Sequence, residues 1–367
     1  IDNLVVVEEV RDGGPADSAG IRPNDIIAFV NGVDVRNDAF YEIVGTIVGE
    51  EGTDVTIGII RPNVENVIYL TMTRAVIDNS SVVYTSFEQD GQRIGYIKVS
   101  TFGDETFTKF AEAIVELEKD GLDSLIVDLR NNGGGHLSTV YNMMNQFLIN
   151  DGTPMFSTEY YSDGELLTQE YYANNTTIKA YDILTLVNQS SASASEVFAS
   201  AMQEQGGYPL LGTVTYGKGT MQTDRRIVST EADSIHITIG KWLTSDGNWV
   251  HFNGGTDGVT PNMIVELTKY ETAYKLFLFD GEVLQYDQVD PRIKNMQLIL
   301  NVMGYDVRED GYFDLDTKLA IKDIQTDNGL TSDGIVDNNL LNILNTALDT
   351  YQDAYDNDSQ LQAAIDY

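Results

Sequence analysis

Three histidines, no cysteine and one serine-rich turn limit the chemistry this chain can perform. Without cysteine there is no thiolate nucleophile, no disulfide and no Cys-ligated zinc. A Ser-His-Asp enzyme would need His136, His236 or His251 beside a nucleophile. His236 and His251 fall in alternating strand patterns, which favour a structural or surface role, and only His136 follows a glycine loop. No H-x-x-x-H or H-E-x-x-H spacing occurs, so neither a metal site nor a cofactor site is expected. The better lead is NQSSASASE, where alternating small residues follow an apolar run and leave a hydroxyl accessible at a strand-to-helix turn. Ser190, Ser191, Ser193 and Ser195 are all candidates on these grounds. A serine hydroxyl is a poor nucleophile unless a neighbouring base takes its proton. Lysine can do so where burial disfavours its charged form. The segment TYGKGTMQ offers Lys218, flanked by Gly217 and Gly219, which let neighbouring backbone pack closely. A solvated turn lysine is the plainer reading of such a residue.

The elements that must hold these residues need several cores. At 367 residues the chain fits two or three domains, and 42% hydrophobic content suffices to fold them. No run of eighteen apolar residues occurs, so no span of a membrane is expected. A leader or anchor would lie upstream of the sequence given. With 57 acidic and 22 basic side chains, the formal charge is −35. That balance excludes nucleic acid as a partner and an electrostatically held membrane surface, since both rely on basic side chains. It suits an exported protein kept soluble by its acidic surface.

Residues 1–75 read as short strands with one or two helices. GGPADSAGIRPNDIIAFVNGVDV carries a strand stop, one helical turn, an apolar strand and an Asn31-Gly32 hairpin in order. A helix over 38–48 and the strands DVTIGIIR and VIYLTMTR follow. This segment resembles a PDZ domain, which holds extended peptides by strand addition and captures their terminal carboxylate. The Gly-rich carboxylate loop expected before LVVVEEV is missing, so the domain reads as N-terminally incomplete. Arg61, at its end, is expected to couple it to the next domain, with a solvated edge arginine as the alternative. Residues 76–284 alternate strands and helices, including the buried strands SLIVDLR and DILTLVNQ. Residues 285–348 show helical spacing in DPRIKNMQLILNVMG, TKLAIKDIQTDNG and DGIVDNNLLNILNTAL. With the DGYFDLDT turn, they resemble the small three-helix peptidoglycan-binding module. A plain helical cap or dimerisation element is the alternative. Residues 349–367 read as an acidic tail, at most a frayed helix.

GYIKVSTF, LIVDLRNNGGG, LVNQSSASASE, GTVTYGKGTMQ and DGVTPNMIV, in that order, resemble the catalytic core of the C-terminal processing (tail-specific) peptidases, serine-protease family S41. The likeness covers about half the chain. It implies a multidomain α/β protein: a PDZ-like β-rich domain, a crotonase-like α/β protease core and a three-helix peptidoglycan-binding-like domain. By position it implies Ser193 as nucleophile, Lys218 as general base and Gln222 as the group that orients Lys218. It further implies an oxyanion hole from the backbone N–H groups of Ala194 and Gly134. Glu196 sits at a matching acidic position, with its role left open. Gly133 departs from many members, which carry another residue there.

The implied activity is a serine endopeptidase using a Ser-Lys(-Gln) centre. It would process or degrade exported proteins from or near their C-terminal tails, with PDZ-gated recognition. Its partners would be unfolded or tail-bearing protein substrates and peptidoglycan, with a homodimer also admitted. Its place would be extracytoplasmic, in a bacterial envelope or secreted. A catalytically silent PDZ/cell-wall scaffold is the alternative, and a crotonase-type thioester enzyme would leave the Ser-Lys-Gln set unexplained.

Overall fold

The computed structural model describes the chain except residues 1–3, 8–9, 11–13, 23–24, 62–63, 65, 76–79, 227–233 and 279–280. Two compact units result, one formed by residues 1–79 with 273–350, the other by 80–272 with 351–367.

The first unit begins with strand β1 (Val5–Val6), helix α1 (Pro15–Ser18), β2 (Ile26–Val30), β3 (Val33–Asp34), α2 (Phe40–Ile47), β4 (Asp54–Ile60) and β5 (Ile68–Thr73). Proline at the first position of α1 matches the fixed φ a helix start wants. The strands form one antiparallel sheet in the order β1-β2-β4-β5, with β3 on β2. Asn31 and Gly32 have positive φ at the β2–β3 turn, as the Asn-Gly pair requires. Alternate residues Val55, Ile57 and Ile59 of β4 are buried with Val30, Val35 and Ile43 in the core of this domain.

The second unit contains β6 (Val82–Gln89), β7 (Gln92–Val99), α3 (Thr106–Glu118), β8 (Ser124–Asp128), α4 (Leu137–Met144), β9 (Pro154–Ser162), β10 (Glu165–Tyr172), β11 (Asp182–Val187), α5 (Ala194–Glu204), β12 (Leu210–Gly212), β13 (Thr220–Arg226), β14 (Ser234–Thr244) and β15 (Met263–Ile264). One sheet runs β15-β12-β11-β8-β7-β6. Its inner strands pair in parallel, and only β6 joins antiparallel. The near-continuous apolar runs of β8 and β11 suit strands covered on both faces. One face packs Leu125, Val127, Ile183 and Val187 against α3, α4 and α5, through Phe110, Met143 and Phe198. A second, antiparallel sheet has the order β10-β9-β14-β13.

Next along the chain, α6 (Pro291–Val302), α7 (Leu315–Asp327) and α8 (Asn338–Gln352) make the helical module of the first unit. Asp290 and Asp314 cap the first two helices through the backbone N–H groups of Arg292 and Thr317. Two buried glutamines play matching parts. Gln297 accepts from Gly311 N and donates to the Tyr312 carbonyl, and Gln325 accepts from Gly334 N and donates to the Ile335 carbonyl. Each therefore pins one Asp-Gly turn to a helix, which explains why both turns begin with the same dipeptide.

The last element, α9 (Ser359–Ile365), lies in the stretch expected to be an acidic tail. It is instead part of the second unit. Leu361 and Ala364 are buried with Ile94, Tyr96, Ile126, Leu184, Leu186 and Leu211, which is the other face of the six-stranded sheet. Seven residues with two apolar anchors give too short a periodic signal to tell such a helix from a frayed end.

Candidate active site

Ser193 stands at the N-terminus of α5 with φ 56° and ψ −114°, a backbone shape that non-glycine residues rarely hold. Strain of this kind marks a sharp strand-to-helix elbow that lifts a side chain out of the core. The neighbouring serines are committed elsewhere. Ser191 Oγ donates to the Leu129 carbonyl and Ser195 Oγ to the Asn132 carbonyl, and both residues are fully buried. Ser190 is exposed in the turn, and Ser193 is half-buried.

Glu196, three residues on, is fully buried. Four donors converge on it. Oε2 accepts the backbone N–H of Ser193 at 2.8 Å and of Lys218 at 2.8 Å. Oε1 accepts the Gly217 N–H and the Thr215 hydroxyl, each at 2.6 Å. Hydrogen bonds of this number are what make a buried carboxylate tolerable. The carboxylate thereby ties the serine turn to the lysine loop.

The lysine loop is clamped from its other side. The Lys218 carbonyl accepts from Trp242 Nε1 at 2.9 Å, and the Gly219 carbonyl from Trp249 Nε1 at 2.8 Å. A Cβ at Gly219 would lie 2.1 Å from the Val250 carbonyl oxygen, so only glycine fits beneath it. His251 stacks on Trp249 with ring centroids 4.6 Å apart, and its Nδ1 accepts weakly from Gly219 N. His136 pairs with Asp104 at an exposed site. Among the described residues, no hydrogen bond joins Ser193 Oγ to Lys218 Nζ or to a histidine. Gln222 is on β13 beyond a bulge, which re-aims side chains, and its Nε2 donates to Thr220 Oγ1 at 2.8 Å rather than to Lys218.

The loop 131–135 reaches the same point. Gly134 has φ +107°, and a Cβ there would meet Ala192 O at 2.8 Å, Ser193 Cβ at 2.9 Å and Ala194 N at 3.1 Å. This glycine therefore touches the serine turn. Its N–H donates to Asn132 Oδ1 at 2.9 Å. Among the described residues the Ala194 N–H has no hydrogen-bond partner. Asn132 was not singled out in the sequence, yet its buried side chain also donates to the Val99 carbonyl, and its own carbonyl accepts from Ala192 N. The loop is rooted at Arg130, whose guanidinium forks onto Asp128 and Asp358. Arg61 makes two 2.8 Å bonds to the buried Asp25 carboxylate and a third to the Gly20 carbonyl, all inside the PDZ-like domain.

No group of three or more acidic or histidine side chains able to hold a metal is present among the described residues. Nor is any helix among them long and apolar enough to cross a membrane.

Three family models match segments of the chain. Residues 93–265 match the model of peptidase family S41, residues 6–61 a PDZ domain, and residues 289–344 the putative peptidoglycan binding domain. Carboxy-terminal processing protease CtpB of Bacillus subtilis (strain 168) is 32% identical over 365 residues, 99% of this chain and 74% of that protein. CtpA of the same strain is 31% identical over 363 residues, again 99% and 74%. The solved photosystem II D1 C-terminal processing protease shares 27% identity over 72% of this chain and 68% of its own, at a TM-score of 0.46. Near-full-length identity to two such proteases, with the S41, PDZ and peptidoglycan-binding matches in the order read from the sequence, places this chain in the carboxy-terminal processing proteases of family S41, which are serine-type peptide hydrolases.

Proposed function

We propose that this protease cleaves with Ser193 as nucleophile and Lys218 as general base, acting on exported proteins from or near their C-terminal tails. The observation that carries the reading is the shared Glu196 oxygen, which holds the backbones of both residues. Ser193 Oγ attacks the scissile carbonyl as Lys218 Nζ takes its proton. The tetrahedral oxyanion forms opposite the free Ala194 N–H, with a glycine N–H of the 131–135 loop as second donor. For Gly134 to be that donor, its bond to Asn132 Oδ1 must open or be shared. Lys218 then returns the proton to the leaving amine, and water hydrolyses the acyl-enzyme by the reverse sequence. Gln222 joins once it swings from Thr220 toward Lys218. Catalytic hydrogen bonds that are long or missing in the empty enzyme and tighten around substrate are a common pattern.

In this reading the PDZ domain, by strand addition, admits unstructured tails to the core. The helical module holds the enzyme to peptidoglycan, which puts it in the cell envelope or outside the cell. Turnover of an unfolded protein tests the chemistry. Ser193→Ala and Lys218→Ala should each abolish cleavage with little change in the thermal melt, whereas wild-type turnover in either variant removes the dyad.

A further inference from the structure

The Arg130 guanidinium at the root of the glycine loop is held by two carboxylates where one would neutralise it. Asp128, fully buried, takes Nε and Nη2 at 3.0 and 2.6 Å and also accepts from Tyr96 OH at 2.7 Å. Asp358, 228 residues further along the chain, takes Nη1 at 2.7 Å and Nη2 at 2.6 Å. Gln360 adds a longer contact to Nη1. A second negative charge in a largely buried cluster is unfavourable unless its geometry is needed. Docking of α9 does not need it, because Leu361 and Ala364 are buried on the sheet and Gln360 donates to the Val265 carbonyl. Nor does capping α9 need both oxygens, since Oδ1 alone accepts from Leu361 N.

What the second fork fixes is the guanidinium's plane. Two bidentate partners at its two ends leave Arg130 one orientation, where one partner would let it pivot. Arg130 is followed at once by Asn131, held in left-handed backbone with φ 62° by a reciprocal pair of bonds with Asn188. Next come Asn132, whose carbonyl accepts from Ala192 N and Ser195 Oγ, and Gly134, which abuts Ser193. We infer that Asp358 on the C-terminal helix is a positioning residue for the reaction, aligning the oxyanion loop through Arg130 without touching substrate. This inference rests on the reading of that loop as the oxyanion hole.

The experiment uses the full chain with Asp358→Asn, which keeps the size and one acceptor, and Asp358→Glu, which keeps the charge and fork. The expected result for Asp358→Asn is a fall in kcat of about 10- to 100-fold with KM nearly unchanged, the scale of a small misplacement at a reacting centre. Affinity for a peptide boronate, which mimics the tetrahedral adduct, should fall by a similar factor. Binding of uncleaved peptide should be equal in Ser193→Ala and in Ser193→Ala/Asp358→Asn. Asp358→Glu should recover most of kcat. The inference is overturned if Asp358→Asn keeps wild-type kcat, if only KM changes, or if the loss merely follows the fraction unfolded at the assay temperature. Should Ser193→Ala itself remain active, the parent reading fails, an outcome separate from any result with Asp358.

Discussion

Ser193 and Lys218, 25 residues apart in sequence, are joined through one oxygen atom, because Glu196 Oε2 accepts the backbone N–H of each at 2.8 Å. The two residues therefore sit on one frame even where their side chains do not touch. The frame is closed by Thr215 and Gly217 on the other carboxylate oxygen.

Glu196→Gln tests that frame. An amide has one acceptor oxygen and an NH2 that would point at N–H groups, so two donors lose their partner. A stability loss of roughly 2–4 kcal/mol is expected, since buried donors would be left unpaired. A fall in kcat/KM of about 100-fold should accompany it, from misplacement of both residues. Thermal melts alongside peptide turnover check both.

Gly134→Ala should act on catalysis more than on binding. Its Cβ would lie within 3 Å of the Ala192 carbonyl oxygen and Ser193 Cβ, at a φ that alanine avoids. The loop must then withdraw from the serine. A fall in kcat of about 100- to 1000-fold, with KM within a few-fold, is the signature of a lost oxyanion donor. Steady-state kinetics on a fluorogenic peptide would read it.

Acid should weaken the Arg130–Asp358 pair. Burial pushes the Asp358 carboxyl up, but hydrogen bonds and charge from Arg130 outweigh it and hold the group below its ordinary value. A depressed folded-state value means the stabilisation is complete above the unfolded-state value of about 3.9 and disappears as pH falls through the folded one. Wild type should therefore exceed Asp358→Asn by roughly 1–2 kcal/mol at neutral pH, a modest figure for a partly exposed pair. Denaturant melts from pH 7 downward should show the gap closing below pH ~4.

Truncation after Thr350 should not be silent. It would uncover Ile94, Tyr96, Ile126, Leu184, Leu186 and Leu211. Lost burial of Leu361 and Ala364 alone suggests roughly 2–4 kcal/mol. Aggregation and a lowered melting temperature are expected, whereas an ordered tail of no consequence would leave both unchanged.

Much of the candidate site was legible because it is built on contiguous motifs. The small residues around Ser193, the glycines beside Lys218 and the NNGGG loop each declare a tight backbone, and the structure gives each a close contact. The same holds for the PDZ-like hairpin at Asn31-Gly32 and for the Asp-Gly turns of the helical module. Glu196 stood out in the sequence only as an acid at a matching position near a helix start, with its role open. Its bonds to the lysine loop were not visible, since no local pattern reports a contact 22 residues away. Asp358 was further out of reach. Its partner is 228 residues distant, and the helix it caps has two buried anchors among polar residues. Gln222 shows the opposite limit, since a bulge at Met221/Gln222 decides where that side chain points.

The assignment of Ser193 and Lys218 is tested most directly by covalent capture. A fluorophosphonate probe is added to wild-type and Lys218→Ala protein, and the modified residue is mapped by mass spectrometry. The account predicts a single adduct on Ser193 in wild type and its loss in Lys218→Ala with the fold intact. An adduct on Ser190, Ser191 or Ser195, labelling of Lys218→Ala at the wild-type rate, or no labelling of an active preparation would contradict it.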